Sequence, residues 1–240
     1  MDKFNYLEHY QTDAEEFNYF EERRGATEHD ERRVHEYIIS TIPKDVKSIL
    51  DVGCGSAWIA KYYVKKNVNV YSLDISTINP VKALKKYPAT NHFGITADSY
   101  SLPFLDNSFD CLVASEIIEH VLYPDKFIAE LMRVVKPKGE LIITTPYKEV
   151  LRYSLCIHCN KKTPINAHIN SFDEKKLESL YKGNDLNYVK WKTFGNKLLI
   201  FLRTYVVLKF LPFSLWKIKD KAANLLYNKP VHIIMTYGKK

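Results

Sequence analysis

Three short apolar runs in this chain end in residues able to hold a ligand. Ser48–Val52 contains Asp51 and runs into Gly53-Cys54-Gly55-Ser56-Ala57, Asn69–Leu73 ends at Asp74-Ile75, and Phe93–Ala97 ends at Asp98-Ser99. Paired glycines let a backbone approach a ligand closely, and a helix start behind them favours a carboxylate or phosphate. Asp74, 21 residues beyond Gly53, is spaced to accept hydrogen bonds from a ribose diol, and Asp98-Ser99 suits an adenine amino group. A second segment, Cys156-Ile157-His158-Cys159-Asn160 followed by His168, carries donors at zinc spacing. Thiolates bind Zn²⁺ at about 2.3 Å and a structural site takes four donors, so Cys156, Cys159 and His168 would need Asp173 or a distant residue to complete the set. The other reading is a reduced thiol pair in a loop at the mouth of a site.

Residues spread this far apart act together only if the fold aligns the ends of their strands. The run before Pro43 is helical, because Val34, Tyr37, Ile38 and Thr41/Ile42 follow a 3.6-residue period. After it the chain alternates. The strand Ser48–Val52 leads to a helix in Ala57–Lys66, and Asn69–Leu73 to a helix near Pro80–Tyr87. Phe93–Ala97 and Asp110–Ala114 follow, the latter ending at Ser115-Glu116. Lys126–Val135 places Phe127, Ile128, Leu131, Val134 and Val135 on one helical face, and Lys136-Pro137-Lys138-Gly139 turns into Glu140–Thr145. Short apolar strands alternating with amphipathic helices predict an α/β fold: a mostly parallel sheet with helices on both faces. In such a sheet ligands bind beyond the carboxyl ends of the strands, where the acids and glycines lie.

Composition narrows the chemistry. Four cysteines in 240 residues are too few for a disulfide scaffold, so a cytoplasmic, reducing setting is expected. The opening MDKFNYLEHYQTDAEEF lacks the apolar core of a secretory signal. The net charge of +7 is unevenly placed: residues 191–240 hold ten Lys or Arg and one acid, whereas residues 1–190 hold 25 basic and 27 acidic side chains. A broad phosphate-tracking surface is not implied, which argues against a nucleic-acid partner. A nicotinamide dinucleotide pattern begun at Gly53 would put its third glycine at position 58, which is Trp58; an indole there obstructs the approach that pattern exists to permit.

Asp51-Val52-Gly53-Cys54-Gly55, Asp74 and Asp98, in this order and spacing, resemble the class I S-adenosylmethionine-dependent methyltransferases over about Ser48–Pro146. Leu102-Pro103-Phe104, Ser108-Phe109-Asp110, Glu116-Ile117-Ile118-Glu119-His120-Val121 and Lys136-Pro137-Lys138-Gly139-Glu140-Leu141 are similar to the branch that includes quinone-pathway and many small-molecule methyltransferases. The family usually has a third glycine where this chain has Ala57. The resemblance implies a Rossmann-like, seven-stranded sheet binding S-adenosyl-L-methionine through Asp51, Gly53, Gly55, Asp74, Ile75, Asp98 and Ser99, with Ser115 and Glu116 lining the pocket. It also implies a residue 1–45 helical lid in which Tyr6, Tyr10, Arg32 and Arg33 are candidates for a lid or carboxylate contact, with surface salt bridging the other reading for each arginine, a core at 46–148 and a Cys/His insert at 149–172. His120 is the best-placed general base; the alternative is a structural histidine bonded to backbone or carboxylate. The Asn/Asp-Pro-Pro-Tyr/Phe motif of base-modifying relatives is absent after the fourth strand, since Thr145-Pro146-Tyr147 follows the fifth. The expected acceptor is a small, lipid-linked or glycan-precursor molecule methylated on oxygen. A non-catalytic cofactor-binding or zinc-stabilised subunit and an RNA methyltransferase are the alternatives.

A helical insertion at 196–229 precedes the expected last strand, Pro230–Tyr237. Its first part is apolar but interrupted by Arg203, Lys209 and Pro212, too broken for a membrane span. In its second part Leu215, Ile218, Ala222, Leu225 and Leu226 share a face opposite Lys217, Lys221 and Asn224. Two readings stand: peripheral contact with a membrane or lipid acceptor, or a cap or homodimer interface.

Overall fold

A computed structural model describes residues 4–240; the first three residues of the expected lid lie outside the described residues. The strands of the main sheet are β1 (Ser48–Val52), β2 (Asn69–Asp74), β3 (His92–Thr96), β4 (Phe109–Ser115), β5 (Val135–Pro146), β8 (Leu186–Phe194) and β9 (His232–Lys239). Between β5 and β8 lie two short strands, β6 (Tyr153–Leu155) and β7 (Lys162–Pro164), which pair as a separate hairpin. The sheet order is β3-β2-β1-β4-β5-β9-β8. β1 to β5 are mutually parallel, and β9 runs antiparallel between β5 and β8. The α/β expectation and the seven-stranded, mostly parallel sheet are therefore observed.

Alternating strand residues feed two cores. Leu50, Val52, Leu112, Leu141 and Ile143 pack towards α5 (Pro124–Val134) and α6 (Glu174–Ser179), through Phe127, Ile128, Leu131 and Leu177. Ile49, Val70, Cys111, Val113 and Ile142 pack on the opposite face against α2 (Gly25–Thr41) and α3 (Trp58–Tyr63), through Val34, Ile38, Trp58 and Ile59. Strands buried on both faces read as continuous apolar runs, as these do. The remaining helices are α1 (Tyr6–Glu16), α4 (Ile78–Lys86), α7 (Lys197–Phe201), α8 (Tyr205–Leu208) and α9 (Phe213–Leu226).

Register aligns the ligand edge. Val52 sits opposite Leu73 of β2 and Ala114 of β4, and Asp74 opposite Thr96 of β3. At the other edge the Asp110 carboxylate closes the start of the sheet. Its Oδ2 accepts from the backbone N–H groups of Lys47 and Ser48 (2.8 and 2.9 Å), and Oδ1 accepts from Lys136 Nζ at 2.8 Å.

The insertion is fixed to the body by Arg32 and Arg33, the two lid arginines, and each also forms an ion pair along its own helix, Arg32 with Glu28 and Arg33 with Glu36. Arg33, 1% exposed, donates to Leu208 O (3.0 Å) and Leu211 O (3.2 Å), pairs with Glu36 at 2.7 Å and lies 4.8 Å over the Trp216 ring. Arg32 donates to Lys209 O at 2.6 Å. The two guanidiniums cap the carbonyls at and just beyond the end of α8, where Leu208 O also accepts from Leu211 N. Because Arg33 is buried with this many partners, Arg33→Ala is expected to cost about 2–4 kcal/mol of stability and to loosen residues 197–211. Urea unfolding with hydrogen exchange over that segment checks both effects.

Candidate active site

The turn after β1 has the backbone its glycines require, with Gly53 at φ +67° and Gly55 at φ +44°. A Cβ on Gly53 would clash with Ile117 Cδ1, so this glycine makes room for a side chain of the loop after β4. Gly55 faces Tyr19, whose ring lies 3.5 Å from where a Cβ would stand. Ala57 also adopts the left-handed conformation, φ +55°, ψ +40°, with its methyl fully buried. Its departure from glycine is therefore a matter of backbone conformation, with a cost of roughly 1–2 kcal/mol. Trp58 begins α3, buried and stacked on His35 at 3.9 Å, where a dinucleotide turn would need a glycine.

Asp51 and Asp74 meet at this edge. Asp74 accepts from Ser76 N at 3.0 Å and Asn79 Nδ2 at 3.1 Å, and the Gly55 and Ile75 backbone N–H groups also support it. Burial still raises its pKa above the ordinary carboxylate value. Asp51 is 2% exposed, and its Oδ2 has no hydrogen-bond partner. Burial first, then the charge of Asp74, pushes its carboxyl well up. Asp98, after β3, accepts from Tyr100 N at 2.9 Å and from the hydroxyl of Tyr6 at 2.6 Å. Ser99 beside it is half-buried. Helix α1 thus closes over the same edge that the acids line, and Tyr10 of that helix reaches His120 O at 3.5 Å.

Ser115 and Glu116 stand at the end of β4, beside this crevice. Ser115 Oγ bonds Thr144 Oγ1 at 3.1 Å, and Glu116, at φ +56°, directs Oε2 to within 3.6 Å of His232 Nδ1. Thr144 of β5 and His232 of β9 are thus the polar partners of these two side chains. His232 is buried between Glu116 and Asp30 of α2, with Nε2 3.0 Å from Asp30 Oδ2. Burial opposes its charge, yet the two carboxylates outweigh it and hold its pKa at about 10.

His120 lies in a short 3₁₀ turn after β4. Its Nδ1 donates to Ala167 O at 3.3 Å, which leaves the Nε2 lone pair free, 4.0 Å from Glu119 Oε1. Burial, with a contribution from His168, lowers its pKa to about 4. The backbone bond is the one foreseen for a structural histidine, and the ring is neutral at physiological pH.

The zinc set expected from Cys156, Cys159 and His168 is not assembled. Cys156 and Cys159 sit in the exposed turn joining β6 to β7. His168 Nδ1 instead engages Glu149 Oε2 at 2.6 Å, and its ring lies 4.8 Å from that of His120. The carboxylate of Glu149 and the buried wall formed by His120 draw His168 inward, while the hairpin carries the thiols outward. A different trio, Glu119, His120 and His168, brings its donor atoms within 4.8 Å of one another. Those three could hold a divalent ion, since carboxylate and imidazole donors suit one. Beside them opens a cleft of about 430 Å³, lined by Tyr147, Glu149, Arg152, His168, Lys197 and His232 among others. Strand-end position would have flagged Tyr147 and Glu149; nothing in the local sequence marks Lys197 or His232.

A sheet of this order, with a glycine turn after β1 and acids ending β2 and following β3, is the Rossmann-like arrangement of the class I S-adenosylmethionine-dependent methyltransferases, which this chain resembles in sequence as well as in fold. Residues 50–143 match the family model described as a methyltransferase domain. A demethylmenaquinone methyltransferase of Renibacterium salmoninarum is 36% identical over 95 residues, 40% of this chain and 39% of that protein. The mitochondrial ubiquinone biosynthesis O-methyltransferase of Bos taurus is 30% identical over 157 residues, 60% of this chain and 42% of that protein. The chain thus spans about two-fifths of the length of these curated relatives. Among solved structures, an S-adenosylmethionine-dependent methyltransferase from Mesorhizobium loti superposes with a TM-score of 0.59 at 14% identity, covering 88% of this chain and 99% of that one, which shows the shared fold.

The two histidines predict opposite pH limbs of stability. His120 has a folded pKa of about 4 against an ordinary 6.5, so its contribution is lost as pH falls from the unfolded value towards the folded one. His232, at about 10, contributes fully below about 6.5 and loses that contribution as pH rises through its folded value. In urea unfolding, the stability gap between the native chain and His232→Gln should therefore narrow between about pH 7 and pH 10. A gap that stays constant would show that His232 is neutral in the fold.

Proposed function

We propose that the chain transfers the methyl group of S-adenosyl-L-methionine to an oxygen of a small, lipid-linked acceptor. The observation that carries this reading is Asp51: a carboxylate buried beside a second carboxylate, with an oxygen lacking any partner. A site with that much uncompensated negative potential suits a ligand that brings positive charge. S-adenosyl-L-methionine carries both an ammonium and a sulfonium, and its adenosine offers the diol and amino donors that Asp74 and Asp98 would accept. Gly53 and Gly55 hold the turn open for it, Ile75 follows Asp74 along the pocket wall, and Ser99 adjoins Asp98. Tyr6 and Tyr19 close over it from the lid.

Bound there, the cofactor would supply an electrophilic methyl group on sulfur, with its thioether as the leaving group. The protein aligns the acceptor oxygen in line with the methyl–sulfur bond, which in favourable cases is worth roughly 7–11 kcal/mol. The acceptor enters by the cleft at the end of β5, and its hydroxyl proton passes to His120 Nε2. With a pKa of about 4, His120 is unprotonated throughout the neutral range. It is a weak base, suited to taking a proton only as the new bond forms. That the Bos taurus relative is an O-methyltransferase of ubiquinone biosynthesis supports oxygen as the acceptor atom.

Asp51→Asn separates binding from stability. Because burial already disfavours the ionised carboxyl, the amide should leave the stability of the unliganded protein within about 1 kcal/mol of native, while affinity for S-adenosyl-L-methionine falls about tenfold, or ~1.4 kcal/mol. Asp74→Ala should weaken binding by at least as much. Calorimetry with the folded variants measures both, and native protein that binds no S-adenosyl-L-methionine would end this reading. Methyl-labelled cofactor added with a cell extract tests the acceptor: label extracted into the organic phase is expected, and label confined to the aqueous phase would exclude a lipid-linked one.

A further inference from the structure

The helical insertion exposes far more apolar surface than its own packing needs. Phe201 is 80% exposed, Val207 72%, Phe210 78%, Ile218 66%, Leu225 78% and Leu226 89%. Isolated exposed leucines are unremarkable, but a run of this density on one insertion marks a contact surface.

Its direction is fixed by the fold. On α9 the residues facing the body are Trp216, Asp220 and Asn224, one turn apart. Asp220 accepts from Gly195 N at 3.2 Å, and Asn224 donates to Gly195 O at 3.1 Å. Arg33 and Arg32 hold the carbonyls at the end of α8 and just beyond it. With the polar side of α9 pinned inward, Leu215, Ile218, Ala222, Leu225 and Leu226 necessarily face away. They form the face foreseen from their spacing, yet no part of the described chain covers it.

The charge beside that face selects its occupant. At 3.6 residues per turn, Lys219 borders the apolar arc of α9 on one side and Lys221 and Lys217 on the other. Residues 196–229 hold seven Lys or Arg in all, against one acid, Asp220, which is 2% exposed and turned inward. A homodimer through this face would oppose two such lysine borders. An anionic bilayer pairs with them instead, accepting the leucines among its acyl chains while the lysine stems extend to its phosphates. No helix of the described residues is long and apolar enough to cross a membrane, so the contact is lateral. Lys197 ties the surface to the site, because it both opens α7 and lines the cleft after β5.

We propose that the exposed face of 197–226 docks the protein on the surface of an anionic lipid bilayer, with the acceptor cleft beside the membrane. The proposal rests on the lipid-linked acceptor only for its purpose; the docking is measured without cofactor or acceptor. Vesicles of phosphatidylcholine alone and of phosphatidylcholine with phosphatidylglycerol serve as probes in co-sedimentation. Binding to the anionic vesicles should exceed binding to the neutral ones and fall with added salt.

Leu225→Glu/Leu226→Glu should cut binding by about tenfold or more, and Lys217→Glu/Lys219→Glu/Lys221→Glu should remove the preference for anionic lipid. The altered side chains are exposed or half-buried, and circular dichroism and S-adenosyl-L-methionine affinity matching the native chain establish that each variant is folded. Equal sedimentation of native protein and both variants, or none by the native protein, overturns the proposal. So does a stable dimer in sedimentation velocity that Leu225→Glu/Leu226→Glu dissociates, since the face would then belong to a second copy. Vesicle binding with no S-adenosyl-L-methionine binding would leave the docking intact and remove the methyltransferase reading.

Discussion

Everything at the ligand edge depends on placing two carboxylates where water does not reach them. Asp51 and Asp74 belong to neighbouring parallel strands, and the register that pairs Val52 with Leu73 fixes their separation. Neither can swing out, because each is part of a strand buried on both faces. The rest of the site answers this constraint. Backbone amides and Asn79 share the charge of Asp74, the glycine turn passes over it, and Asp51 keeps an unpartnered oxygen. A fold that stores unfavourable electrostatics at one point gains selectivity for a ligand that relieves it, at the expense of stability when empty.

The cleft after β5 is built differently. Its walls come from segments added to the sheet after β5 and β8, and polar contacts more than strand geometry hold them. Glu149 fixes His168, the Glu119 carbonyl accepts from Ile169 N and Asn170 N, and Asp30 and Glu116 hold the charged His232. This division fits a class in which the donor is constant and the acceptor varies. The sheet fixes the glycine-turn edge, and segments added to it shape the cleft.

Helix α2 couples the two sides mechanically. Its inner face packs on the sheet through Val34 and Ile38, while Arg32 and Arg33 hold the insertion and Asp30 pairs with His232 of β9. One helix therefore contacts the core, the cleft wall and the base of the exposed apolar face. The charges at Arg33 and His232 are buried, and both carry partners, as buried charges must.

Local sequence determined the sheet strands, the glycine turn and the acids Asp74 and Asp98 at their ends, because strand period, turn chemistry and strand-end position are short-range properties. The parallel order follows almost as directly from the alternation of strand and helix. Spacing misjudged the cases where a distant partner wins. Cys156, Cys159 and His168 have ligand spacing, yet Glu149 and His120 claim the histidine. Arg32 and Arg33 do form the ion pairs weighed for them, with Glu28 and Glu36, but nothing in their spacing marks the carbonyls of residues 208–211 as further partners. The apolar stripe of α9 was legible from its period, whereas its outward direction was not. Period reveals which residues share a face, and only the buried contacts of Trp216, Asp220 and Asn224 decide which way that face points.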